Sequence, residues 1–168
     1  MTLTPALVYE HPRPIYNATM ILISEAAEFL NSDKKMLAQF LRENPKAFLK
    51  EFATIKVASH RRAGHTTAMM QIAANQLKHP DSHLCLVFPT LVMQKRVTKE
   101  LKERTNGMDR CTAITIHAID RKTRGMAPFD LVLLDCSSLM SATAIDKMYD
   151  ALVLMLAIDR APLIVFFE

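Results

Sequence analysis

The sequence predicts an α/β fold: a parallel five-stranded sheet flanked by helices and preceded by an N-terminal helical extension. Beyond residue 52 the chain falls into five short, almost continuously apolar runs, as strands covered on both faces require. Most of these runs are separated by amphipathic segments long enough to serve as the crossovers that parallel pairing needs. Ahead of them, apolar positions recur at helical spacing instead.

The elements follow in order. The residues through "YEHPRPIYN" hold three prolines by position 14 and read as an extended arm, because proline lacks the N–H that a helix interior uses. "ATMILISEAAEFLNS" then places Met20, Ile21, Ile23, Ala27, Phe29 and Leu30 on the apolar face of a first helix. "SDKKMLAQFLREN" starts from a Ser32 or Asp33 cap and repeats Met36, Leu37, Phe40 and Leu41. A third, short helix opens on Pro45 and carries Ala47, Phe48 and Phe52. Strands are expected at 54–59, 83–89, 112–117, 129–135 and 162–168, with helices near 65–78, 91–104 and 141–157. Residues 1–52 thus form an arm and helices packed on the core built by 53–168, in a single unit.

At 168 residues one domain can hide about 70% of the surface its unfolded chain exposes. No apolar stretch is long enough to span a bilayer and no leader pattern opens the chain, so no membrane partner and a cytoplasmic location are expected. Cys85, Cys111 and Cys136 sit in apolar runs at spacings that suit neither zinc nor a disulfide framework, and read as reduced core thiols. The six histidines show no metal-ligand spacing. The net charge of +4 is modest, but Lys95 to Arg124 holds nine basic residues against Glu100, Glu103, Asp109 and Asp120. That segment reads either as a solvated helix face laced with pairs such as Glu100–Arg104, or as a surface for single-stranded or duplex nucleic acid.

Glycine occurs only at positions 64, 107 and 125. Gly64 falls in "KVASHRRAGHTTAMM", where a predicted strand runs through a turn into a helix. That is the layout of a phosphate-binding loop, in which backbone N–H groups and a helix N-terminus meet an anion. Against G-x-x-x-x-G-K-[ST] the stretch reads Ser59 to Thr66: the second glycine and the hydroxyl are present, the first glycine is serine, and the lysine is His65. A neutral histidine cannot replace a lysine charge, so Arg61 and Arg62 inside the turn are the expected phosphate cations, with Ala63, Gly64, His65, Thr66 and Thr67 as the cradle. In the second motif, "FDLVLLDCSS", apolar residues run into Asp135 at a strand end, placed to hold Mg²⁺ opposite the Thr66 hydroxyl. The plainer readings are a structural turn at Gly64 and a capping role for Asp135.

Taken together, "SHRRAGHTT", "CLVFPT", "FDLVLLD" and "PLIVFFE" resemble the first RecA-like lobe of P-loop motors, above all phage terminase large subunits and superfamily 2 helicases. "FPT" at Phe88 to Thr90 is similar to the motif after their second strand, whose loop in the family faces nucleic acid. The resemblance covers about residues 52–168. It implies a parallel P-loop (RecA-like) sheet with the 162–168 strand between the loop strand and the Asp135 strand, a phage or mobile-element origin, and sites completed by a protein partner or oligomer. It also implies ATP and Mg²⁺ as ligands, with Asp135 and Arg62 in catalytic roles. Some terminases carry a deviant loop whose essential cation lies early in the motif, which is how "HRRAG" would stay competent.

Two departures limit the expected activity. Where these families place the glutamate that orients the attacking water, this chain has Cys136, and Glu168, at the end of a strand that converges on the same pocket, is the one substitute. No second lobe, nuclease domain or arginine finger is expected from these 168 residues, and neither is translocation by this chain alone. The leading expectation is an ATP-binding P-loop protein with weak or no hydrolysis alone. The alternative is a non-catalytic P-loop fold reused to bind protein or nucleic acid.

Overall fold

The computed structural model describes residues 12–32, 34–58, 64–156 and 161–168. Five strands, β1 (Thr54–Val57), β2 (Leu84–Phe88), β3 (Cys111–Thr115), β4 (Leu131–Leu134) and β5 (Leu163–Phe167), form one sheet in the order β1-β5-β4-β2-β3. Every pairing is parallel. Apolar content tracks position in the sheet. The three inner strands, β2, β4 and β5, are buried along their whole length and contain no polar residue. The edge strands β1 and β3 are only partly covered and tolerate Lys56, Thr112 and Thr115.

Successive strand residues point to opposite faces, so each strand feeds two cores. Cys85, Val87, Val132, Leu134, Ile164 and Phe166 face one side, under α3 (Pro45–Glu51), α6 (Ile119–Thr123) and α7 (Ala142–Val153). Leu84, Leu86, Phe88, Leu133, Val165 and Phe167 face the other, under α1 (Pro12–Ser32), α4 (His65–Gln76) and α5 (Leu91–Arg104). The architecture is the expected α/β one, with β5 between β1 and β4, and is compatible with a RecA-like sheet.

The N-terminal helices depart from expectation. α1 begins at Pro12, inside the stretch read as an extended arm. Pro12 and Pro14 both fall in the first turn, whose N–H groups have no intrahelical acceptor, so the missing donors cost nothing there. Its buried side runs through Ile15, Thr19, Ile23, Ala26 and Leu30, whereas Ile21, Ala27 and Phe29 of the predicted face are exposed. The extension straddles the β1 edge. α1 covers the α4 face, while α2 (Lys34–Glu43) and α3 bring Leu41, Phe48 and Leu49 to the other. Ser32 ends α1 rather than capping α2, and Asp33 lies outside the described residues.

Asn44 accepts from the Ala47 N–H and Pro45 takes the first helical position, which starts α3 as expected. α3 is tied to α7 by Lys46, bonded to Asp146 at 2.8 Å and Asp150 at 2.6 Å, and by Lys50, bonded to Asp146 at 2.7 Å. β3 ends at Thr115, two residues before the expected end, because Ile116 and Ile119 turn into the core through a short 3-10 turn and the unpredicted α6. α7 stops at Val153 instead of 157. Among the described residues no helix is long and apolar enough to cross a membrane.

Candidate functional site at the sheet's C-terminal edge

After β1 the described chain resumes at Gly64, whose φ of 89° and ψ of 25° lie in the left-handed region that glycine adopts without steric cost. α4 starts at the next residue. Its Ala68, Met69, Ile72 and Ala73 are buried against the sheet, which aims the helix N-terminus at the C-terminal edge of the strands. Thr66, on the first turn, donates from Oγ1 to both carboxylate oxygens of Asp135, at 3.1 and 2.9 Å. Asp135 follows β4 directly, is fully buried, and gives its own N–H to the Val87 carbonyl of β2 at 3.0 Å.

The residues after Asp135 turn sharply. Cys136 has φ 51° and is the sole non-glycine residue with positive φ among those described. Its Sγ donates to Asp135 Oδ1 at 3.5 Å. Ser137, buried in the following 3-10 turn, donates from Oγ to the Phe167 carbonyl at 3.3 Å and so ties this turn to the end of β5. Glu168 follows, with its N–H on the Val57 carbonyl and its side chain exposed. The ends of β1, β5, β4 and β2 therefore converge on the start of α4.

Two titratable groups here are displaced. Burial lowers the His65 pKa from its ordinary 6.5, and the Asp135 charge only partly opposes this, so the imidazole is neutral at pH 7. The ring stands 6.1 Å from that of Phe167. Burial, then the adjacent Asp135, push the Cys136 thiol up to about 11, against a smaller opposing pull from Arg96 of α5. Cys136 stays protonated at neutral pH and offers no general base beside Asp135. Of the other cysteines, burial holds Cys85 well above its ordinary pKa and raises the half-buried Cys111 to about 12, and all three are free.

Of the predicted site residues, the fold brings Gly64, His65, Thr66, Thr67 and Asp135 to one edge. Arg61, Arg62 and Ala63 lie outside the described residues. A threonine hydroxyl and a carboxylate already within 3.1 Å of each other are hard oxygen donors, a set that fits Mg²⁺. Among the described residues no cluster of three or more His, Cys, Asp or Glu could hold a metal by itself.

The basic segment divides by geometry. Arg104 pairs with Glu100 at 2.5 Å, as the spacing predicts, and Arg124 with Asp120 at 3.2 Å. Arg110 donates to the carbonyls of His79 and Leu77 at the end of α4. Lys95, Arg96, Lys99 and Lys102 are exposed on α5 and, among the described residues, make no ion pair. The same rim exposes Val92 and Leu139, at 78% and 63%. Sequence reasoning did not connect Arg96 with Cys136, because residues 40 apart meet only through the adjacency of β2 and β4. No protein-family model matches the chain, and no curated protein is significantly similar to it.

Proposed function

We propose that this chain is an ATP-binding P-loop protein, related to the ATPase lobes of phage terminases and superfamily 2 helicases, with weak or no hydrolysis on its own. The observation that supports it most is the bond from Thr66 to both oxygens of a fully buried Asp135. A carboxylate is costly to bury, and here it stands at a strand end facing a helix N-terminus entered through a left-handed glycine. In this reading the N–H groups of Gly64 to Thr67 cradle the phosphates and Arg61 or Arg62 clamps the outer ones. Thr66 and Asp135 hold Mg²⁺, directly or through water, and the metal, when bound, supplies charge neutralisation at the phosphate oxygens. Hydrolysis stays slow because the thiol at Cys136, near 11, does not accept a proton from water.

The second reading, a binding module without catalysis, draws on the same cysteine and on the unpaired cations of α5. Calorimetry with Mg-ATP at pH 6 and pH 8 separates them. Because the surroundings of His65 disfavour its charged form, binding is expected at both pH values and is expected to disappear in Arg62→Ala. Binding confined to pH 6 would transfer the cation role to His65. No heat at millimolar ligand would remove the nucleotide reading in favour of the binding module.

A further inference from the structure

A cleft of mixed polar and apolar lining lies along the C-terminal half of α4. It has a volume of about 440 Å³ and is lined by Tyr16 and Asn17 of α1, Met70, Gln71 and Asn75 of α4, and Arg104 at the end of α5. That volume falls in the range of small-molecule sites. On α4, Met70, Gln71 and Asn75 lie four, five and nine residues beyond Thr66, about 6 to 13 Å along the axis at 1.5 Å per residue, and neither Thr66 nor Asp135 lines the cleft.

Its polar groups are arranged but not consumed. Asn75 Nδ2 donates to the Tyr16 hydroxyl at 2.6 Å and Lys78 Nζ donates to Asn75 Oδ1 at 2.9 Å, so the phenol accepts one bond and keeps its own proton to give. Asn17 and Gln71 make no hydrogen bond with the described residues, although Gln71 is half-buried. Each carboxamide can donate and accept in one plane, as the edge of a nucleobase requires. Met70, nearly fully buried, contributes apolar surface to the cleft. Glu100 occupies one guanidinium nitrogen of Arg104 and leaves the others for an anion. An adjoining cleft shares Arg104 and adds Lys78 and Arg110, against Glu103 as its carboxylate.

We infer that the cleft between α1, α4 and the end of α5 binds a nucleoside phosphate, with Asn17 and Gln71 on the base edge and Arg104 on the phosphate. The ligand is either a free mononucleotide or one nucleotide of a single strand, since the two present the same chemistry. The site does not depend on the Mg-ATP reading.

Calorimetry with AMP and with a six-nucleotide oligo(dA) tests it, using the full chain without Mg²⁺. Gln71→Ala and Asn17→Ala are each expected to weaken binding about tenfold, and Thr66→Ala to leave it unchanged, with urea unfolding to check that each variant is folded. Equal affinity for AMP and oligonucleotide assigns the site to free nucleotide, and at least tenfold tighter oligonucleotide binding assigns it to a strand. Absence of binding by either ligand at millimolar concentration, or binding that ignores Asn17 and Gln71, would overturn the inference. Loss of AMP binding in Thr66→Ala alone would place that nucleotide at the other edge and overturn it as well.

Discussion

At the scale of single residues, two glycines set conditions that no other side chain meets as well. Gly64 holds a left-handed conformation at the start of α4. Gly107 has an ordinary φ of −91°, so its constraint is space. A Cβ there would lie 2.6 Å from Arg110 Nη2 and 2.8 Å from the Leu77 carbonyl oxygen. That carbonyl and the guanidinium form the cap on the C-terminal end of α4, where a cation also meets the favourable end of the helix dipole. Gly107→Ala must therefore displace either backbone or the cap, and is expected to cost about 1–3 kcal/mol in urea unfolding. An Arg110→Ala background should absorb part of this penalty, and a full penalty there would show that the cap is not what the glycine protects. Cys136 shows the opposite case, a non-glycine residue kept in the left-handed region beside a buried aspartate. Such strain persists only where the surroundings enforce it, here through bonds to Asp135 and from Ser137 to Phe167.

Among elements, the union of α3 with α7 is the one most open to a pH test. Hydrogen bonds from Lys46, then Lys50, hold the Asp146 carboxyl at about 2 instead of 3.8, and bonds to Asp146 and Asp150 raise Lys46. A carboxyl whose folded pKa is depressed adds stability above its unfolded value and loses that contribution as pH falls through the folded one. The stability gap between wild type and Asp146→Asn is therefore expected to be full at pH 5 and to close towards pH 2, read by urea titrations at both. A gap that stays constant would show that the carboxylate charge contributes nothing. Because Lys46 and Asp146 are both partly exposed, the effect should also shrink in high salt.

Across the whole molecule, the sheet order brings the start of α5 close to the turn after β4, where Arg96 acts on Cys136. The C-terminal edge gathers Thr66, Asp135 and Cys136, and the exposed cations of α5 run away from it along the outer surface. If Lys95, Arg96, Lys99 and Lys102 each neutralise one phosphate of a single strand, the logarithm of affinity should fall with that of salt at a slope of about −3, at about 0.7 per contact. Lys99→Glu should weaken binding and flatten the slope. A salt-independent affinity would remove nucleic acid from this face.

What the sequence determined by itself was the five strands, most of the helices and the candidate residues Gly64, Thr66 and Asp135. Strand runs such as "LCLVF" and "LIVFF" are legible because a strand buried on both faces has no room for polar residues. Gly64, Thr66 and Asp135 are legible because their types and order follow local backbone rules. The α1 start was misread because proline was weighed as a breaker where, in a first turn, it is tolerated. α6 was missed because five residues give too little periodicity to detect. Only the tertiary structure decided that Thr66 meets both oxygens of Asp135, that Arg96 acts on Cys136, and that Tyr16 joins Gln71 and Arg104 around one cleft. Those meetings depend on which strands are neighbours and how helices cross them, quantities set by packing many side chains at once and absent from any single stretch of chain.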